Sequence, residues 1–139
     1  MQRQITMKKI DTLYLVDDDD IFQLLASEVI NSTNLVNKIK VFSNGQEAIK
    51  FLESVRDEPD KLPEVIFLDL FMPVLDGWGF LEKYVQLKSR LNKKIIIYIV
   101  SSSIDPIDIQ RAKSISEVTD YIIKPITREK FLASIKEMF

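Results

Sequence analysis

Apolar residues along the chain gather into short runs rich in β-branched side chains, at residues 13–16, 39–42, 65–68, 95–100 and 121–123. Several runs are apolar throughout rather than alternating, the pattern of parallel strands covered on both faces. Between them lie longer stretches of helical period. Phe22, Leu25 and Val29 recur at i, i+3, i+7, and Ala48, Leu52 and Val55 at i, i+4, i+7. Phe131, Ile135 and Met138 repeat that second spacing near the C-terminus. Each set gives a helix one apolar stripe for a sheet face. Start signals agree: Asn44 with Glu47 reads as a capping box, Asp105 with Pro106 as an N-cap followed by proline, and Thr127 as the cap of the last helix. Pro59, Pro63, Pro73, Pro106 and Pro125 all fall at element boundaries.

Five strands and five helices in strict alternation predict an α/β fold around a parallel sheet. Right-handed crossovers place helices on both faces. In such folds the site lies beyond the carboxyl ends of the strands, so the informative residues are those just after each run. Asp17, Asp18, Asp19 and Asp20 follow the first strand, and Asp69 follows the third. Ser101, Ser102 and Ser103 follow the fourth, and Lys124 and Pro125 the fifth. Four strand ends thus bring carboxylates, hydroxyls and an amine to one edge.

Composition narrows what that edge can do. With no cysteine and no histidine in 139 residues, thiolate or imidazole metal sites, Ser-His pairs and a phosphohistidine of the chain's own are excluded. A hydrophobic fraction of 46% beside 29% charged residues fits a globular domain, and a formal net charge of -2 gives no broad basic surface for nucleic acid. No run reaches the ~18 apolar residues of a membrane span. The polar N-terminus has no signal-peptide pattern, which predicts a cytoplasmic protein. Residues 1–11 are expected to be a leader, and residues 12–139 one domain with no further output domain.

Carboxylates crowded in a crevice repel by about 4 kcal/mol at ~4 Å and an effective dielectric near 20. A hard divalent cation offsets this, and Mg²⁺ takes one or two carboxylates, a carbonyl and waters while leaving room for a phosphoryl oxygen. Lys124 adds a second positive charge and a serine hydroxyl a donor, the electrostatic clamp of phosphoryl transfer. An aspartate can then be the nucleophile. Plainer readings exist for each part. Asp19 and Asp20 suit an N-cap and the helix dipole. A calcium loop counted from Asp17 fails, because its sixth position is Phe22 where glycine is needed, although Glu28 stands at the twelfth. Asp76 and Gly77 are first a turn signal. Trp78 and Phe80 read as packing. Gly45, Gly77 and Gly79 form neither a Walker loop nor a dinucleotide fingerprint.

In their joint order these motifs resemble the response-regulator receiver domain of two-component signalling, over residues 13–139 and of the single-domain chemotaxis-regulator type. The matching residues are Leu15, Val16, Asp17 and Asp18; then Leu68 through Pro73 with Asp76 and Gly77; then Val100 and Ser101; then Tyr121 through Pro125. The resemblance implies a flavodoxin-like (βα)5 three-layer sandwich with sheet order 2-1-3-4-5. It implies Asp69 as phosphoacceptor and Mg²⁺ held by Asp18, Asp69, the backbone carbonyl of Phe71 and, mainly through water, Asp17. Ser101 would bond the phosphoryl group, Lys124 would pair with it, and Ser101 and Tyr121 would report the switch. The Lys124–Pro125 bond is expected to be cis. The implied donor is a phosphohistidine on a sensor histidine kinase or histidine phosphotransfer protein. The implied output is a protein target of the face built by helix four, strand five and helix five, with the domain a monomer or weak homodimer.

Two departures from the usual pattern stand out: Ser116 to Asp120 where a Gly-Ala pair is common, and a long interval between Asp69 and Ser101. The competing readings are a phosphate shuttle in a relay, a metal-blind adaptor, and a small Mg²⁺-dependent phosphatase turning over outside substrates through an aspartyl-phosphate. The last usually needs an acid two residues past the nucleophile, where this chain has Phe71, which cannot transfer protons.

Overall fold

The structure, a computed structural model, describes residues 10–138. Its elements are β1 (Ile10–Val16), α1 (Asp20–Ser32), β2 (Val36–Phe42), α2 (Gly45–Ser54), β3 (Val65–Leu68), α3 (Gly77–Leu87), β4 (Ile96–Ser101), α4 (Pro106–Lys113), β5 (Val118–Ile123) and α5 (Arg128–Met138). A 3-10 turn at Lys88–Arg90 extends α3 and takes up part of the long interval between Asp69 and Ser101. All neighbouring strands pair in parallel, in the order β2-β1-β3-β4-β5. This is the flavodoxin-like arrangement that the resemblance implied, built on the parallel sheet that the alternation of runs and helices predicted.

Alternating side chains on the central strands feed two cores. Tyr14, Val16, Ile66, Leu68, Ile97 and Ile99 face α2, α3 and α4, where Leu52, Phe80 and Ala112 are buried. Leu13, Leu15, Val65, Phe67, Tyr98 and Val100 face α1 and α5, meeting Ala26, Ile30, Phe131 and Ile135. Residues on both faces of β3 are therefore fully buried, as a continuous apolar run requires.

Three strands are longer than their apolar runs. β1 begins at Ile10, so Ile10 and Asp11, expected in the leader, are strand residues; the rest of the expected leader lies outside the described residues. Asp11 accepts from Asn37 Nδ2 at 2.8 Å across the β1–β2 pair, a polar contact that an apolar-run reading passes over. β2 likewise starts at Val36 and carries exposed Asn37 and Lys38, and β5 starts at Val118. The β4–β5 register slips between Ile97 and Tyr98. That irregularity sits beside the atypical 116–120 stretch, at the end of the sheet away from the acidic cluster.

Caps form where expected. Asn44 Oδ1 accepts from Glu47 N–H at 2.9 Å, Asp105 Oδ1 from Ile107 N–H at 2.9 Å, and Thr127 Oγ1 from Lys130 N–H at 3.1 Å. The α1 stripe is rotated from the expected one. Ala26 and Ile30 are buried, Phe22 and Val29 pack partly, and Leu25 is 55% exposed. The small Ala26 side chain lets α1 lie close to the sheet, which turns Leu25 outward.

Asp76 and Gly77 are more than a turn. Asp76 Oδ1 caps α3 by accepting from Gly79 N–H at 2.8 Å, and Gly77 is its first residue. A Cβ on Gly77 would stand 2.4 Å from the Asp69 carbonyl oxygen and 2.8 Å from Leu70 Cα. Glycine is needed there because α3 starts in contact with the backbone that carries Asp69.

Candidate functional site

Ladder hydrogen bonds at the strand ends fix the site. Asp17 N–H donates to Phe42 O, Asp69 N–H to Val16 O and Lys124 N–H to Ser101 O, each at 2.9 Å. Val16 pairs with Leu68 and Ser101 with Ile123, so the residues that follow each strand stand side by side. Asp17 and Asp69 are buried at 1% and 7% exposure, Ser101 is fully buried, and Asp18 is exposed. One carboxylate oxygen from each of Asp17, Asp18 and Asp69 lies within 4.8 Å of the others.

Lys124 is the cation among them. Its Nζ lies 2.7 Å from Asp17 Oδ2 and 3.6 Å from Asp69 Oδ2. Asp17 Oδ1 accepts from Asp19 N–H at 2.9 Å. Asp17 Oδ2 is buried, and the Lys124 ammonium is its one close partner among the described residues. Asp69 Oδ1 accepts from Leu70 N–H at 2.9 Å. Burial raises the Asp17 carboxyl above its ordinary value, against the pull of Lys124 and the Asp19 N–H. Burial, then the charge of Asp17, pushes Asp69 up to about 6, partly offset by Lys124 and backbone N–H groups. One lysine does not compensate two buried carboxylates and a third beside them. Three hard oxygen donors with an unsatisfied buried lone pair fit a divalent cation of the Mg²⁺ type.

Ser101 Oγ accepts from Ser103 N–H at 3.1 Å and so faces its own loop. Ser103 is the hub of that loop: its Oγ donates to Asp108 Oδ2 at 2.8 Å on α4, and its carbonyl accepts from the Tyr121 hydroxyl at 2.9 Å. Phe71 lies two residues past Asp69 with its side chain half exposed. The Lys124–Pro125 peptide is cis. Asp19 is the N-cap of α1, accepting from Ile21 and Phe22 N–H at 3.0 and 3.1 Å, and Asp20 is an exposed first-turn residue.

Sequence reasoning missed three contacts. The Gln23 side-chain amide donates to the Asp17 carbonyl, Phe22 lies under Lys124 with Nζ 4.2 Å from its ring centroid, and Arg111 on α4 stacks 4.0 Å from the Trp78 ring. Helical period marks Phe22 as core and says nothing of the lysine. A contact between residues a hundred positions apart has no local signal.

The chain matches the response regulator receiver domain over residues 13–136, and it belongs to that family. It is similar to a two component response regulator from Cytophaga hutchinsonii, whose crystal structure superimposes with a TM-score of 0.85 at 31% identity, covering 94% of this chain and 97% of that one. The probable methanogenesis regulatory protein FilR2 of Methanothrix harundinacea is 25% identical over 126 residues, 91% of this chain and 79% of that protein. A protein-glutamate methylesterase/protein-glutamine glutaminase of Vibrio parahaemolyticus is 38% identical over 63 residues, which are 45% of this chain but only 15% of that protein. Receiver domains are phospho-accepting signalling domains of two-component systems rather than enzymes that turn over outside substrates. No helix among the described residues is long and apolar enough to cross a membrane.

Proposed function

We propose that the chain is a cytoplasmic phosphorylation switch in which Asp69 accepts a phosphoryl group from a phosphohistidine on a partner kinase or phosphotransfer protein. The observation that carries this reading is the meeting of two needs at Asp69: its carboxylate shares the acidic cluster and faces Lys124 Nζ at 3.6 Å. Asp17, Asp18, Asp69 and the Phe71 carbonyl would hold Mg²⁺, which when bound neutralises charge on the transferring phosphoryl oxygens. An Asp69 carboxylate oxygen attacks phosphorus, the phosphorus–nitrogen bond of the donor breaks, and the imidazole leaves. Lys124 and Ser101 stabilise the charge on the product. Phe71 offers no hydrogen bond to orient an attacking water, which favours slow self-dephosphorylation.

For Ser101 to reach the phosphoryl group it must release Ser103 N–H. Ser103 also holds Asp108 and Tyr121, so that release loosens α4 from β5. The α4–β5–α5 face is thereby biased between two arrangements for a protein target. A protein donor also has an apolar surface to meet, because Ile21, Leu24 and Leu25 on α1 are all exposed beside the site.

Intact mass after incubation with acetyl phosphate and Mg²⁺ tests the reading. One added phosphoryl group is expected, lost in Asp69→Asn. No gain in the wild-type chain, or an equal gain in the variant, would sink it.

A further inference from the structure

Lys124 is held on two sides by different physics. One side is Asp17, at 2.7 Å; the other is the face of Phe22, whose ring centroid lies 4.2 Å from Nζ. Between them only 17% of the lysine side chain is exposed. Phe22 is itself fixed at the start of α1, where its N–H donates to Asp19 Oδ1 at 3.1 Å and its ring packs against the α1–α5 core. The lysine sits on the Asp17 side, 3.6 Å from the oxygen of Asp69 where the phosphoryl group would be added.

That asymmetry creates a problem for the reaction. A cation held by Asp17 draws on the same carboxylate that anchors Lys124. Once that hold weakens, a long lysine side chain gains rotamer entropy by swinging into water. The attraction of an ammonium for an aromatic face comes from the ring quadrupole and does not depend on the state of any carboxylate. We propose that Phe22 is a positioning residue that keeps Lys124 over Asp69 when Asp17 is engaged by the metal, a role that rests on the phosphoacceptor reading of Asp69. Leucine would fill the same core space and lack the quadrupole. Tryptophan, the strongest cation–π partner, would keep it.

The test uses the full chain with Phe22→Leu and Phe22→Trp. Three quantities are read: the phosphorylation rate with acetyl phosphate and Mg²⁺, the Mg²⁺ dissociation constant, and the NMR shift of the Lys124 ε-methylene. In wild type that methylene is expected upfield of an ordinary lysine, because the ring current shields it. Phe22→Leu should lose the upfield shift and slow phosphorylation by about fivefold, the size of one partly exposed cation–π contact. Its Mg²⁺ affinity should stay unchanged, and Phe22→Trp should keep both shift and rate. A wild-type ε-methylene at the ordinary lysine position overturns the proposal whether or not the variants fold. So does Phe22→Leu phosphorylating at the wild-type rate, or Phe22→Trp slowing as far as Phe22→Leu. A wild-type chain that takes no phosphoryl group at all overturns instead the reading of Asp69, and the wild-type shift still decides whether ring and ammonium meet.

Discussion

At the residue scale the site is a place where the fold is asked to hold charge it would be more stable without. Asp69 is 7% exposed, and its carboxyl is pushed from 3.8 up to about 6, chiefly by burial and then by Asp17. A carboxyl raised in the folded state binds its proton more tightly there than in the unfolded chain. Its contribution is therefore most favourable below pH 3.8 and is lost as pH rises through about 6. Asp69→Asn should accordingly raise stability in a chelator at pH 7 by about 3 kcal/mol, with that advantage shrinking toward zero near pH 4. Denaturation of both proteins across this range measures it, and a variant less stable at pH 7 would contradict the picture. The sequence placed Asp17, Asp18 and Asp69 at one edge without saying which of them crowd. The structure buries Asp17 and Asp69 together and leaves Asp18 at the exposed rim of the same cluster, where water screens it more.

Among the elements, the loop from β3 to α3 carries the cost of shaping the site. It leaves the sheet at Asp69, returns to start α3 against the Asp69 backbone at Gly77, and turns through Val74 at φ 74°. Leu75 N–H donates to Pro73 O at 3.1 Å, so Val74 is the centre of a tight three-residue turn. A β-branched residue in that region is strained, and Val74 is 84% exposed, so its side chain returns little by burial. Val74→Asn should stabilise the fold by about 1 kcal/mol, because asparagine tolerates positive φ. A chemical-denaturation midpoint at or below wild type would refute this. α4 is the contrasting element. Only Ala112 of its eight residues is buried, and it is otherwise tied by the Ser103–Asp108 hydrogen bond, the Lys113–Asp120 ion pair to β5 and the Arg111–Trp78 stack. A helix held mainly by polar and cation–π contacts is cheap to move, which suits the output face. The start signal at Asp105 and Pro106 shows in the sequence where α4 begins. How weakly it is anchored comes from partners on β5 and α3.

Across the whole molecule, metal binding and folding are linked. A cation that binds the assembled Asp17, Asp18 and Asp69 oxygens and finds no such cluster in the unfolded chain stabilises by mass action, by about 2.7 kcal/mol at a hundred times its dissociation constant. Mg²⁺ should therefore raise the melting temperature of the wild-type chain and leave Asp18→Ala nearly unmoved, with the two melting alike in a chelator because Asp18 is exposed. Equal Mg²⁺ shifts in both would remove Asp18 from the ligand set. The sequence by itself determined the parallel sheet, since unbroken apolar runs leave no polar face for solvent and their alternation with helical period admits little else. It also marked Asp17, Asp69, Ser101 and Lys124, because each stands at or just past the end of an apolar run and parallel topology sends every such position to one edge. Tertiary structure alone decided which of these groups bear the strain and what steadies them. Burial is set by the neighbours a side chain meets, so only the folded chain shows that the Asp69 carboxyl is forced upward. Contacts between residues far apart in sequence, Phe22 with Lys124 and Arg111 with Trp78, come from how helices lie on the sheet. That placement depends on side-chain volume, such as Ala26 beneath α1, rather than on period.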